Sequence, residues 1–234
     1  MTPNVSIIIP TLNEEEGIIE TLKQINELDI KTEVLVVDGL SKDNTVKNAE
    51  LHGAKVIVEK RKGKGIAMAT GVKTAKSDII CFLDGDGTYP PKFIPKMLDL
   101  IKNCDVVVAS RLLKKVGVND SINTFVHYRL FPFIFKHYLS KFKTSEPITG
   151  MRLMKKETWR KLHLKSHDFL IETEMEVNMA KNKMKVIEIP IPCIKRIGKS
   201  KWDSSLGTML KIRKYVKTNE KYLQDLQVTR YFHV

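Results

Sequence analysis

Five short apolar runs punctuate the first 110 residues, and segments with helical spacing separate them. The runs are Val5–Ile9, Val34–Val37, Ala54–Val58, Asp78–Leu83 and Asp105–Ala109. Strands this apolar on successive positions are covered on both faces. Between the first two runs, residues 14–28 place Ile18, Leu22 and Ile25 on one helical face. Further helices are expected from about Ser41, over Gly65–Ala75 and over Pro91–Ile101. Ser41 or Asp43 serves as a cap, and Pro90 and Pro91 stand at a helix entry. Strand and helix alternating at this spacing leave few folds open. The pattern predicts an α/β domain, a mostly parallel sheet with helices on both faces. Pro10 is expected to stop the first strand.

Open sheets of this kind bind ligands outside the carboxyl ends of their strands. There the fourth run leads into Asp84-Gly85-Asp86-Gly87. Two acids separated by one small residue suit a hard divalent cation that also takes phosphate oxygens. Taken alone, the same residues suit a plain Asp-Gly turn. Asp38 closes the second run, and Pro10, Thr11, Asn13 and Glu14 follow the first. Gly63-Lys64-Gly65 can bring a cation and backbone N–H groups to a pyrophosphate, although such a tripeptide is also a common surface turn.

Charge divides the chain. Residues 1–110 hold 14 Lys+Arg and 16 Asp+Glu, and residues 111–234 hold 26 and 11. The second half is therefore expected to meet something anionic: nucleic acid, an acidic membrane surface or a phosphorylated substrate. Residues 121–142 contain five of the nine Phe and two Tyr, scattered among bases. Leu130–Phe135 is too short to span a bilayer. It fits an amphipathic segment lying on one, or a core helix pair kinked at Pro132. The aromatics cluster beside Pro132 rather than alternating with bases along a recognition strand, which argues against nucleic acid. Asp168–Ala180 reads as a helix, Lys185–Pro192 as an edge strand, and about Ser205–Lys217 as the last helix. The polar tail from Asn219 is expected to be loosely held. Three widely spaced cysteines read as reduced core residues, and the six histidines form no ligand pattern. There is no secretory h-region and no run near the roughly 18 apolar residues of a spanning helix.

Seven segments together carry a family resemblance. VSIIIPTLNE (5–14), EVLVVDGLSKDNT (33–45), Gly63-Lys64-Gly65 and DGDGTYPP (84–91) resemble inverting family 2 glycosyltransferases of the GT-A fold. ITGMRLMKK (148–156), FLIETEME (169–176) and RIGKSKW (196–202) are similar to segments of the dolichyl-phosphate sugar synthases, in their short archaeal form. The resemblance implies a Rossmann-like sheet with a basic, aromatic-rich acceptor extension. Residues 1–110 would hold a nucleotide sugar, residues 111–217 the acceptor, and 218–234 would form a tail. It implies donor contacts at Pro10, Asn13, Glu14, Asp38, Lys64 and Asp84. The acid that usually follows Asp38 is replaced by Gly39. It implies Mg²⁺ or Mn²⁺ on Asp84 and Asp86, with Thr88 where relatives place Gln. Arg111, Arg129, Arg196, Ser200 and Lys201, with Lys199 beside them, would receive a polyprenyl phosphate. Glu174 would face the sugar or these cations, and Thr149, Gly150 and Arg152 would shape the floor. The implied donor is a UDP- or GDP-sugar, with UDP-N-acetylglucosamine favoured. The implied place is the cytoplasmic face of the cell membrane, as a peripheral protein. A saccharide hydroxyl acceptor is the alternative; it would make Glu172, Glu174 or Asp168 a general base.

Overall fold

The computed structural model describes residues 2–113, 141–199 and 206–232. Arg129, Ser200, Lys201 and residues 121–140 of the aromatic segment lie outside the described residues. In chain order the elements begin with β1 (Val5–Thr11), α1 (Gly17–Asn26), β2 (Thr32–Asp38), α2 (Thr45–Leu51), β3 (Lys55–Val58), α3 (Lys64–Thr74) and β4 (Ile79–Phe82). There follow α4 (Ile94–Leu100), β5 (Val106–Ser110), β6 (Arg152–Lys155), α5 (Lys156–Lys161), α6 (Leu170–Lys181), β7 (Lys185–Pro190), α7 (Leu206–Asn219) and β8 (Gln227–Arg230). The strands form one sheet in the order β3-β2-β1-β4-β6-β5-β7-β8. All neighbours are parallel except β6, which runs antiparallel to both β4 and β5.

Period-two alternation sends each strand's side chains into two separate cores. Ile7, Ile9, Val36, Cys81, Leu83 and Val107 meet Ile18, Leu22, Ile25, Ile94 and Met97 of α1 and α4. Ile8, Leu35, Val37, Ile80, Phe82, Val106 and Val108 meet Met68, Val72, Ile171, Met175 and Met179 of α3 and α6. Both faces are covered, which is why the runs are apolar throughout.

Four expectations need correction. Pro10 does not end β1; it pairs in register with Val37, and the strand continues to Thr11. Leu83 N donates to Ile8 O, so the even-numbered residues of β1 face β4. The β1–β4 register ends at Ile8 and Phe82, so the missing N–H of Pro10 costs no ladder bond. The Pro91–Ile101 helix is α4 with a 3₁₀ turn at each end, Pro91–Phe93 and Ile101–Asn103. β7 is not an edge, because β5 and β8 flank it. Its Pro190 lies past the last β8 pair, Glu188 with Arg230. Finally, the tail is structured: Leu223 and Leu226 are buried, and β8 completes the sheet. No helix among the described residues is long and apolar enough to cross a membrane.

Candidate active site

The carboxyl ends of β1, β2 and β4 lie side by side, and the acids anticipated there converge. The loop after β1 is laced to the loop after β2. Asn13, at φ 53°, donates its N–H to Ser41 Oγ (2.7 Å), while its Oδ1 accepts from Lys42 N (2.7 Å). Glu14 N donates to Thr45 Oγ1 (2.7 Å). Asp38 is 1% exposed and accepts from Thr11 Oγ1, Ser41 N and Ser41 Oγ. The structure thus gives Asp38 a turn-holding role. Pro10 lies within β1, at the floor of this region.

Asp84 and Asp86 sit on the turn beyond β4. The N-terminus of α1 packs directly on that turn: a Cβ at Gly17 would stand 2.6 Å from Gly85 O and 2.7 Å from Asp86 Cα. Asp86 Oδ1 accepts from Thr88 N (3.0 Å) and Thr88 Oγ1 (2.6 Å), so Thr88 first of all fixes the turn. Gly150 presses on Asp84 from the other side, where any Cβ would collide with the carboxylate. Gly150 N donates to Tyr89 Oη (2.8 Å).

Two cations already sit on this pair. Lys64, the first residue of α3, donates to Asp84 Oδ1 (2.8 Å) and to Glu172 Oε1 (2.6 Å). Arg196 donates through Nη1 to Asp86 Oδ2 and through Nη2 to Glu14 Oε1 and to Lys199 O (3.0 Å). Ile197 N donates to Asp86 O (3.0 Å), which closes the segment around Arg196 against the acidic turn. Burial works against ionising Asp84, but the charges of Lys64, Arg111 and Arg196 outweigh it and hold its carboxyl below the usual range. Burial alone would lower the Lys64 ammonium; Asp84 and Glu172 reverse this and keep it above the ordinary lysine value. Burial pushes Glu172 up, against the pull of Lys64.

Arg111, just past β5, is clamped by the buried Glu146. Its N and Nη2 donate to Glu146 Oε2 and Oε1 at 2.6 and 2.5 Å, and its Nε to Oε1 at 2.9 Å. Its guanidinium lies 4.4 Å from the centre of the Tyr89 ring. Behind it, Arg152 is 1% exposed and donates to Thr149 O, Pro147 O and Glu176 Oε1.

The expected sites are redistributed in three ways. Glu174 does not face the acidic turn: both its oxygens accept from the backbone N–H groups of Lys165 and Ser166. Two residues along a helix turn the side chain about 200°, so Glu172 holds the inward place instead. The glycines beside Lys64 serve close packing: a Cβ at Gly63 or Gly65 would strike the His167 or Ser166 backbone, and Gly65 N donates to His167 O (2.9 Å). Arg196 was expected on the acceptor and lies on Asp86 and Glu14. Sequence reasoning missed Glu146 and Glu176. Glu146 lies in no motif and Glu176 only ends the FLIETEME segment, and each shows its role only through a partner distant in sequence.

The donor set suits a hard divalent ion: two carboxylates and a hydroxyl on one turn. Among the described residues no group of three or more His, Cys, Asp or Glu side chains could hold a metal alone. Substrate phosphate oxygens would have to complete such a shell. Charge agrees with this. Asp84, Asp86, Glu14 and Glu172, when ionised, carry four negative charges against two positive on Lys64 and Arg196, which leaves two uncompensated.

A profile of the family described as Glycosyl transferase family 2 matches residues 6–162. A dolichyl-phosphate hexose transferase of Haloferax volcanii is 30% identical over 209 residues, covering 87% of this chain and 89% of that protein. Glycosyltransferase AglJ of the same organism is 35% identical over 202 residues, covering 81% and 63%. A dolichol-phosphate mannosyltransferase of Pyrococcus furiosus is 30% identical over 212 residues, covering 84% and 58%. The chain thus spans less than two thirds of the latter two. Among solved structures, glucosyl-3-phosphoglycerate synthase of Mycobacterium tuberculosis, in complex with Mn²⁺, UDP and glucosyl-3-phosphoglycerate, superposes with a TM-score of 0.64. It is 19% identical, and the match covers 93% of this chain and 78% of that one. The same enzyme with Mg²⁺ and UDP also gives a TM-score of 0.64, at 18% identity, covering 93% and 78%. At these identities the likeness concerns the fold, which is GT-A.

Proposed function

The chain belongs to glycosyl transferase family 2, and from that premise we propose that it transfers a hexose from a nucleotide sugar to a polyprenyl phosphate such as dolichyl phosphate. The observation that carries this reading is the state of the acids around Asp84. Among the described residues, Glu172 is bound by Lys64, Glu174 by backbone N–H groups and Glu146 by Arg111, while Asp168 is exposed and accepts from Leu170 N at the start of α6. A sugar hydroxyl acceptor needs a carboxylate poised as a base, whereas a phosphate is already an anionic nucleophile and needs none. The names of the Haloferax and Pyrococcus relatives support the same acceptor.

In this reading residues 1–110 receive the donor. Asn13, Glu14 and Asp38 shape the nucleotide's side of the crevice, and Lys64 meets the diphosphate. Asp84 and Asp86, aided by Thr88, would hold Mg²⁺ or Mn²⁺, which supplies Lewis-acid stabilisation of the departing diphosphate. Residues 111–217 receive the lipid phosphate. Arg111 is preset in one plane by Glu146 and Tyr89, which favours forked phosphate contact. Arg129, Ser200 and Lys201 would complete the anion's surroundings, while Arg196 stays on Asp86 and Glu14 at the donor side. A phosphate oxygen attacks the anomeric carbon as the bond to the diphosphate breaks, and the configuration inverts. The chain's work is placement and charge shielding. A lipid acceptor puts the enzyme at a membrane surface, which we assign to the cytoplasmic face, where nucleotide sugars are supplied.

Incubation of the purified chain with Mn²⁺ or Mg²⁺, dolichyl phosphate and a panel of labelled UDP- and GDP-hexoses tests this. UDP-glucose and UDP-N-acetylglucosamine come first, since the solved neighbours carry UDP. The expected result is label in the lipid phase with one donor and a divalent ion. Label on a saccharide with none in the lipid phosphate would overturn the reading.

A further inference from the structure

Lys64 is held as no ordinary surface lysine would be. It opens α3 between two glycines whose Cα atoms lie against the backbone of residues 166–167. That backbone is pinned in turn by Glu174. The lysine's starting point is therefore fixed, and its side chain, 12% exposed, runs past the Phe169 ring (5.7 Å) to the acids. There Nζ lies between Asp84 Oδ1 at 2.8 Å and Glu172 Oε1 at 2.6 Å. Glu172 is 3% exposed, and among the described residues the side-chain group that donates to it is Lys64 Nζ.

Two carboxylates sharing one ammonium keep a net negative charge. One carboxylate alone with the same ammonium is neutral. A neutral pair has little attraction for a divalent ion, and the ammonium competes directly for the carboxylate oxygen. We propose that Glu172 is a positioning residue that draws the Lys64 ammonium partly off Asp84 and so keeps Asp84 able to take a divalent cation. Glu172 then acts through Lys64 and not as a ligand or a base. The inference rests on Asp84 belonging to the donor–metal site, but not on the identity of the acceptor.

The experiment titrates Mn²⁺ into the UDP-loaded full chain by calorimetry, without lipid or sugar donor, and records thermal melts alongside. Glu172→Gln removes the charge and keeps the shape. It is expected to weaken Mn²⁺ binding roughly 10- to 100-fold, the range for partners that orient metal ligands. Glu172→Asp keeps the charge and is expected to restore most of the affinity. In a Lys64→Met background, Glu172→Gln is expected to leave Mn²⁺ affinity unchanged, because nothing remains to be drawn away. If Glu172→Gln alone fails to fold, Lys64→Met and Lys64→Met/Glu172→Gln still decide the matter. Equal affinities support the proposal, and a tenfold or larger gap makes Glu172 a direct ligand and overturns it. A lower melting temperature with unchanged Mn²⁺ affinity also overturns it, by making Glu172 merely structural. Lack of lipid glycosylation leaves this titration intact and counts only against the proposed acceptor. A wild-type chain that binds no Mn²⁺ with UDP sinks the metal site and this inference together.

Discussion

Replacing Glu176 by Gln should flatten the pH dependence of this protein's stability. Glu176 is fully buried on α6, where it accepts from Thr144 Oγ1 (2.8 Å) and Arg152 Nη2 (3.2 Å), with Glu188 nearby as a like charge. Burial raises its pKa from 4.5 to about 7, against the pull of Arg152 and Thr144. Below pH 4.5 both the folded and unfolded chains hold the proton. Between 4.5 and 7 the folded chain holds it more tightly, so stability declines as pH rises through this window. For these two values the loss between pH 5 and pH 8 is about 2–3 kcal/mol. In a domain of this size that corresponds to a melting-point difference of about 5–10 °C. Urea unfolding of wild type and Glu176→Gln at pH 5 and pH 8 isolates the effect, since Glu172 and Glu188 titrate in both proteins. Wild type should lose about 2–3 kcal/mol more than the variant over this interval. An identical decline in both would refute the claim that burial dominates over Arg152 at this carboxylate.

Two further outcomes follow from the packing. Gly150→Ala sets a Cβ about where the Asp84 carboxylate now lies. Overpacking of this kind should cost about 1–3 kcal/mol, and Mn²⁺–UDP affinity should fall as Asp84 is displaced. Melting curves and calorimetry check both, and an unchanged affinity would mean that the turn gives way without moving Asp84. Glu146→Gln removes the charged partner of Arg111, which should destabilise the chain by about 3 kcal/mol. If dolichyl phosphate is the acceptor, its KM should rise more than kcat falls, as steady-state rates against lipid concentration would reveal.

The first half of the fold was legible in the sequence because its central strands, β1, β2, β4 and β5, are buried on both faces. Burial imposes an apolar run, and a run bounded by helical spacing can be recognised locally. The acids of the site were legible for the same reason: Asp38, Asp84 and Asp86 stand where such runs end. β6 was not legible. Its sequence Arg152-Leu153-Met154-Lys155 has no β-branched residue and begins with an arginine that is buried only because Glu176 and two carbonyls meet it. β8 was hidden as well, since an exposed four-residue strand with a polar sequence resembles any tail.

The chain's linear order determined a covered, mostly parallel sheet and an acidic turn at its carboxyl edge, since both depend on local periodicity and on strand ends. Tertiary structure alone decided which partner each charge has. It turned Glu172 toward Asp84 and Glu174 toward the backbone of residues 165–166 on one helix, and it brought Lys64 across 108 positions to Glu172 and Arg196 across 110 to Asp86. An ion pair depends on distance in space and on burial, and neither is written in the spacing of residues along the chain.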